Sequence, residues 1–230
     1  MTEINDGVII EEYKSFLKDK NFPCIAAKAA LAKKQVQCRV AHNMACPMDD
    51  GAILQWLYDF VDLYRSSRQS FHSLAIIFKG PLTRNEADFD GLMWRRLQAL
   101  RDLDNKLYPY DERVDADPKS ARFSFSLKEE GFFIIALHPG SNRAARQFKY
   151  PALVFNPHAE FEKLREANRY ENMKTVVRKR DLLFSGSTNP MLKNFGEESE
   201  VYQYSGRIYD SRWKCPLKNN DATDEHHPTA

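Results

Sequence analysis

Several familiar signatures are missing from this 230-residue chain, and each absence removes a class of function. No apolar run approaches the ~20 residues that a membrane-spanning helix needs, so no membrane role is expected. The opening "MTEINDGVII" has neither a basic leader nor a cleavable apolar stretch, so no secretory signal is read there. Four cysteines (Cys24, Cys38, Cys46 and Cys215) form no CxxC pair. Their spacing gives no zinc site, and reduced thiols in a cytoplasm are the expected state. No GxGxxG or GxxxxGK loop cradles a phosphate, and no GxSxG elbow presents a nucleophilic serine. Neither charge sign dominates: 34 Lys and Arg against 32 Asp and Glu leave a net charge of +2, which argues against nucleic acid as a partner.

What is present describes a folded protein. The chain is 43% hydrophobic and 29% charged, with no repeat and no convincing internal boundary, so one domain is expected. Helical spacing over residues 8–20 puts Ile9, Tyr13, Phe16 and Leu17 on one face. A second helix follows, with Pro23 suited to its first position. "CRVAHNMACPMDD" reads as irregular chain. Asp50 is placed to cap a helix that turns Ile53, Leu54, Leu57, Phe60, Val61 and Tyr64 inward. "FHSLAIIFKGP" reads as a strand. Thr83 or Asn85 then opens a long helix with Phe89, Leu92, Met93, Leu97, Leu100 and Leu107 on its apolar face.

"ARFSFSLKEEGFFIIAL" is a hairpin. Its first arm alternates, so one side should face water or a cavity, and its second arm is apolar on both sides, as in a central strand. "PALVF" adds a strand, and two short helices follow. From Ser185 onward the chain reads as ordered loops, with residues 217–230 a flexible end. The sum is an α+β fold: a mainly antiparallel sheet of about four strands with packed helices.

The chemistry concentrates in "LHPGSNRAARQFKYPALVFNPHAEF". His138 and His158 each end an apolar run. A strand-end histidine is as often a polar cap as a ligand or an acid–base group. His158 stands where a helix begins, which favours the neutral ring that a metal requires. If the two strands are antiparallel neighbours, the histidines lie roughly 15–20 Å apart and cannot share one metal. A crossover connection would bring them to the same end. Arg143 and Arg146 suit carboxylates or phosphates, or else a solvated turn. Cys24, at a helix start, is a candidate thiolate or a structural thiol. Glu200, with Glu197 and Glu198, could receive a cation or lie in a surface loop.

The ordered series "FPCIAAKAAL", "FHSLAIIF", "LMWRRLQALRDLD", "FSFSL", the His138–His158 stretch, "MKTVVRKRD", "GSTNPMLKNFGEESEVYQYSGR" and "WKCP" resembles the YqcI/YcgG family over about residues 20–216. Characterised relatives are haem-dependent N-hydroxylases of guanidine compounds. The resemblance therefore implies a catalytic domain over residues 1–216, haem b, and dioxygen or hydrogen peroxide as oxidant. It implies a guanidine or amino-acid substrate such as arginine, with an electron-donor protein as a further partner. The family motifs fall on His138, His158 and Cys24, the three candidate iron ligands. On this reading Arg143 and Arg146 hold the haem propionates, and the other histidine, His138, serves as a distal acid. Glu200 orients the guanidinium, and Phe123 and Phe125 line the pocket. The rivals are a haem peroxidase, an oxygenase of another amine, a haem sensor or carrier without catalysis, and a protein without haem.

Overall fold

The computed structural model describes residues 5–83, 85–187, 189, 191 and 193–219. Asn5 caps α1 (Asp6–Lys18) by accepting from the Gly7 amide. α2 (Ile25–Ala32) ends at a turn in which Lys34 takes a positive φ of 59°. The chain then enters β1 (Val36–Asn43). A short 3-10 turn leads to α3 (Asp50–Ser66), β2 (Ser73–Gly80) and α4 (Glu86–Asp104). After a long polar loop come β3 (Phe125–Leu127), β4 (Glu130–Leu137) and β5 (Ala152–Pro157). α5 (His158–Glu166), α6 (Tyr170–Ser185) and the single turn α7 (Val201–Tyr204) complete the body.

The fold is α+β, with one five-stranded sheet in the order β1-β2-β5-β4-β3. β1 and β2 pair in parallel, and the other three pairings are antiparallel. β1 is the strand absent from the expected four. Only Cys38 and Ala41 of its eight residues are buried, so it carries no continuous apolar run or regular alternation to mark it as a strand.

Strand parity sorts the core into two layers. Leu74, Ile76 and Phe78 of β2, Phe132 and Ile134 of β4, and Phe155 of β5 pack against α3 and α4. Each fully buried phenylalanine there contributes about 2–3 kcal/mol. Residues of the opposite parity, among them Ala75, Ile77, Leu137 and Val154, face α1 and α2.

Several local expectations change. Asp50 does not cap α3; Asp49 takes that position, and the buried Asp50 carboxylate pairs with Arg96. Cys24 caps α2, so Pro23 lies before the helix and not at its first position. Leu107 is exposed, beyond the end of α4. "FSFSL" does not present a side to water or a cavity: Ser124 and Ser126 are fully buried and hydrogen-bonded, and Phe123 and Phe125 sit in the α3–α4 layer. Leu217 is buried and the Lys218 amide donates to Gln98, so packing continues past Pro216. Residues 220–230 lie outside the described residues. Among those described, no helix is long and apolar enough to cross a membrane.

Candidate active site

A cavity of about 290 Å³ lies on the α1–α2 face of the sheet. Its floor is the β4–β5 pair, through Phe133, Ile135, Leu137, Val154 and Asn156. α2 closes one side, and α5 and α6 roof it with Phe161, Leu164, Met173 and Val177. The volume lies near the lower end of the range for small-molecule sites, about 300–1,000 Å³, and the lining is mostly apolar.

Strand pairing decides the histidine question. Leu137 pairs with Ala152 and Phe132 with Pro157, so β4 and β5 are antiparallel. His138 and His158 therefore stand at opposite ends of the pair, about 20 Å apart along the strands. Parity separates them further. His158 continues the Val154–Asn156 row into the cavity, whereas His138 continues the Ile134–Ala136 row into the other layer.

His158 is the first residue of α5 and is 5% exposed. Neither ring nitrogen has a hydrogen-bond partner among the described residues. Glu200 Oε1 lies 3.6 Å from Nδ1, Glu162 Oε1 lies 3.4 Å from Nε2, and the Phe195 ring packs at 4.2 Å. Glu200 is itself buried. Its Oε2 accepts from Ser124 Oγ at 3.0 Å and lies 3.4 Å from the Tyr204 hydroxyl. Among the described residues it pairs with no lysine or arginine. A buried imidazole whose nitrogens make no hydrogen bond is costly unless something takes one of them; Glu162, beside Nε2, is half exposed and not fixed there, whereas the buried Glu200 beside Nδ1 stands as the carboxylates that orient metal-bound histidines do. These residues fit a single-ligand metal centre such as haem. Among the described residues, no three His, Cys, Asp or Glu side chains cluster to bind a bare metal ion.

The arginines lie at the far end of the cavity wall, already engaged by the protein. Arg143 donates to Asp181 at 2.5 Å and to the Ser187 carbonyl, which ties α6 to the β4–β5 connection. Arg146 donates to the carbonyls of Ala136, Gln203 and Tyr204. Burial, with Arg143 beside it, lowers its pKa to about 10, so it remains a cation at neutral pH. Gly206, at φ +82°, lies against this guanidinium, and a Cβ there would come within 3.3 Å of Arg146 Nε.

Cys24 also lines the cavity. Its Sγ accepts from the Ala27 amide, as the helix start requires. The expected lowering of its pKa does not follow, because burial outweighs the helix-start amides and raises it.

His138 is fully buried and stacked on Phe89 at 4.1 Å, with both ring nitrogens unpartnered. Burial is the larger cause, and Arg146 the smaller, of a pKa lowered from 6.5 to about 4. As pH falls, the unfolded chain takes up this proton first. Stability should therefore drop below pH 6.5 and level off near pH 4, by about 3 kcal/mol in all. In His138→Leu that acid loss should vanish, with neutral-pH stability kept or raised. Urea unfolding at pH ~7 and ~4.5 measures it, and an unchanged pH dependence would contradict the assignment.

Three further residues of the cavity were not singled out from sequence. His72 is 3% exposed with Nδ1 unpartnered. Glu160 is buried, accepting from the Phe71 amide and Lys163. Arg165 stacks over Tyr170 and Phe195, and its Nη1, 3.6 Å from Glu162 Oε1, lacks a hydrogen-bond partner among the described residues. His72 opens the quoted "FHSLAIIF", and the other two lie within "NPHAEFEKLR", so the signal was present in the motifs themselves.

Comparison with known proteins places this geometry in context. The YqcI/YcgG family model matches residues 13–218. The chain is similar to the uncharacterized protein YcgG of Bacillus subtilis (strain 168), 26% identical over 211 residues, covering 86% of this chain and 82% of that one. It is similar to YqcI of the same organism at 27% identity, covering 71% of this chain and 65% of the relative. It also resembles a Streptomyces lavendulae protein named "Putative N(omega)-hydroxy-L-arginine synthase DcsA", 23% identical over 219 residues and covering 90% and 82% of the two chains. No solved structure matches it significantly. With nearly the whole body, from α1 to Lys218, inside the matched region, the chain belongs to the YqcI/YcgG family.

Proposed function

We propose that this chain is a haem-dependent N-hydroxylase of the guanidine group of arginine or a similar small molecule, with His158 as the iron ligand. The observation that carries the reading is the His158 ring, buried on the wall of a mostly apolar cavity, with neither nitrogen hydrogen-bonded among the described residues and the buried Glu200 carboxylate 3.6 Å from Nδ1. Its relative DcsA, named for Nω-hydroxy-L-arginine synthesis, supplies the substrate class. Bound in the cavity, haem would supply activation of dioxygen or hydrogen peroxide for insertion of oxygen into an N–H bond. With dioxygen, an electron-donor protein would be the further partner.

The protein's own residues then divide the work. The apolar side chains of α5 and α6 give the cavity a hydrocarbon roof. Arg165, whose Nη1 on the cavity wall makes no hydrogen bond among the described residues and only a 3.6 Å ion pair with the half-exposed Glu162, is a better candidate for a propionate than Arg146, whose guanidinium is held by three carbonyls. Cys24, kept as a thiol by burial, is the weaker ligand candidate. Glu200 faces His158 Nδ1, so its better role is to accept that N–H and fix the ring rather than to bind substrate.

Two measurements test this. Haem-loaded protein, given L-arginine with peroxide or with dioxygen and a reductase, should release a hydroxyguanidine detectable by mass spectrometry. Haem binding without turnover of any guanidine or amine would leave a carrier or sensor instead. Glu200→Gln should raise the haem reduction potential, because the anionic partner of the imidazole is gone, and leave arginine affinity unchanged. A weakened arginine-induced spectral shift at constant potential would return Glu200 to the substrate-binding role.

A further inference from the structure

Behind Glu200 the packing continues as a file of oxidisable rings. The Tyr204 hydroxyl lies 3.4 Å from Glu200 Oε2 and 3.3 Å from the Phe132 carbonyl. Trp94 stacks on Tyr204 with ring centroids 5.9 Å apart. Trp213 lies 6.1 Å from Trp94 and is only partly buried, so the file reaches the surface. Tyr209 stacks on Trp213 at 3.8 Å, and Tyr202 meets it at 5.3 Å. Buried phenol and indole donors need an acceptor in any core; here the acceptors are carboxylates, which can take the proton as well as the hydrogen bond. Glu200 serves Tyr204, while Asp90 Oδ1 accepts from Trp94 Nε1 at 3.1 Å and from the Tyr209 hydroxyl.

We infer that Tyr204, Trp94 and Trp213 form a relay that carries a stray oxidising equivalent from the cavity to the surface when no substrate consumes it. This rests on the proposed haem chemistry, with haem oxidised by hydrogen peroxide as the oxidant. Tyr204 gives one electron to that oxidant and its hydroxyl proton to Glu200 Oε2. Trp94 then gives one electron to the Tyr204 radical, which recovers its proton from Glu200, while the Trp94 indole proton passes to Asp90. Trp213 reduces Trp94 in turn, the Asp90 proton returns, and Trp213 releases its own proton to water. A thiol in solution restores Trp213 with one electron and one proton. The direction is fixed by chemistry: phenols and indoles yield electrons only to strong oxidants, so the file drains oxidising equivalents and does not deliver electrons for turnover.

The test uses haem-loaded protein, verified by its Soret band, treated with hydrogen peroxide without arginine. Freeze-quenched samples should show a protein radical by electron paramagnetic resonance, and peptide mass spectrometry should find Trp213 oxidised. Both Tyr204→Phe and Trp94→Phe, each checked for an unaltered melting curve, should lose Trp213 oxidation. Trp56→Phe, outside the file, should keep it, and Trp213→Phe should shift oxidation to Tyr202 or Tyr209. Undiminished Trp213 oxidation in both interior variants overturns the relay. If haem does not bind, the functional reading fails separately. The relay is then tested with a ruthenium photo-oxidant attached in Arg165→Cys, a partly exposed position on the cavity wall, the four native cysteines being serine. Trp213 oxidation that still requires Tyr204 and Trp94 supports it, and oxidation indifferent to them overturns it.

Discussion

In His158→Ala, haem added to the purified protein should give no bound Soret band, with affinity lowered by more than about 100-fold. The wild-type protein, Cys24→Ser and His138→Leu should all bind. The three candidates differ physically. His158 is a cavity-facing imidazole with neither nitrogen hydrogen-bonded among the described residues. Cys24 already accepts a helix-start hydrogen bond, and burial holds it as a thiol. His138 lies in the other core layer, against Phe89. Removing the His158 ring also removes a packed neighbour of Phe195, so lost binding alone could reflect a loosened wall. Free imidazole separates the two effects: it should restore a Soret band in His158→Ala by occupying the vacated space. A ferrous–CO spectrum of the wild type characteristic of thiolate ligation, or full haem binding by His158→Ala, would defeat the assignment.

Arg146→Met should destabilise the fold by about 4 kcal/mol, because three carbonyls lose one buried donor at once. For a chain of this size that corresponds to a drop in melting temperature of about 10 °C. One guanidinium joins the β4 carbonyl of Ala136 to the Gln203 and Tyr204 carbonyls at the end of α7. β3 is only three residues long, so the edge of β4 beyond it is covered by α7 and this side chain instead of another strand. Arg146→Lys should recover little, since an ammonium lacks the planar fork that reaches several acceptors. Denaturant unfolding measures both. A loss under about 1 kcal/mol for Arg146→Met would mean that water reaches the freed carbonyls.

Much of this was legible in the sequence. The helices α1, α3 and α4 and the strands β2, β4 and β5 follow directly from apolar periodicity, because each buries one continuous face. The opposed ends of His138 and His158 followed from the antiparallel alternative. The side of the sheet on which each ring lies did not, since β4 and β5 are apolar on both faces and nothing in them marks which layer holds a cavity. The roof was hidden for another reason. Asp181 is the one buried residue of α6 and α5 buries only His158 and Glu160, so neither helix shows the apolar stripe of a core element. Arg143 and Arg146 read as a basic turn because sequence cannot reveal carbonyls brought from residues 187 and 203–204.

Strand parity gives β5 two vocabularies written in alternate letters. Leu153 and Phe155 answer to the α3–α4 core, whereas Val154 and Asn156 answer to whatever fills the cavity. Relatives that change ligand can therefore rewrite every second position of this strand and leave the intervening ones alone. A deletion of one residue inside it would exchange the two sets, turning Phe155 toward the cavity and Asn156 into hydrocarbon. Length within β5 is thus constrained more tightly than the identity of its cavity-facing residues.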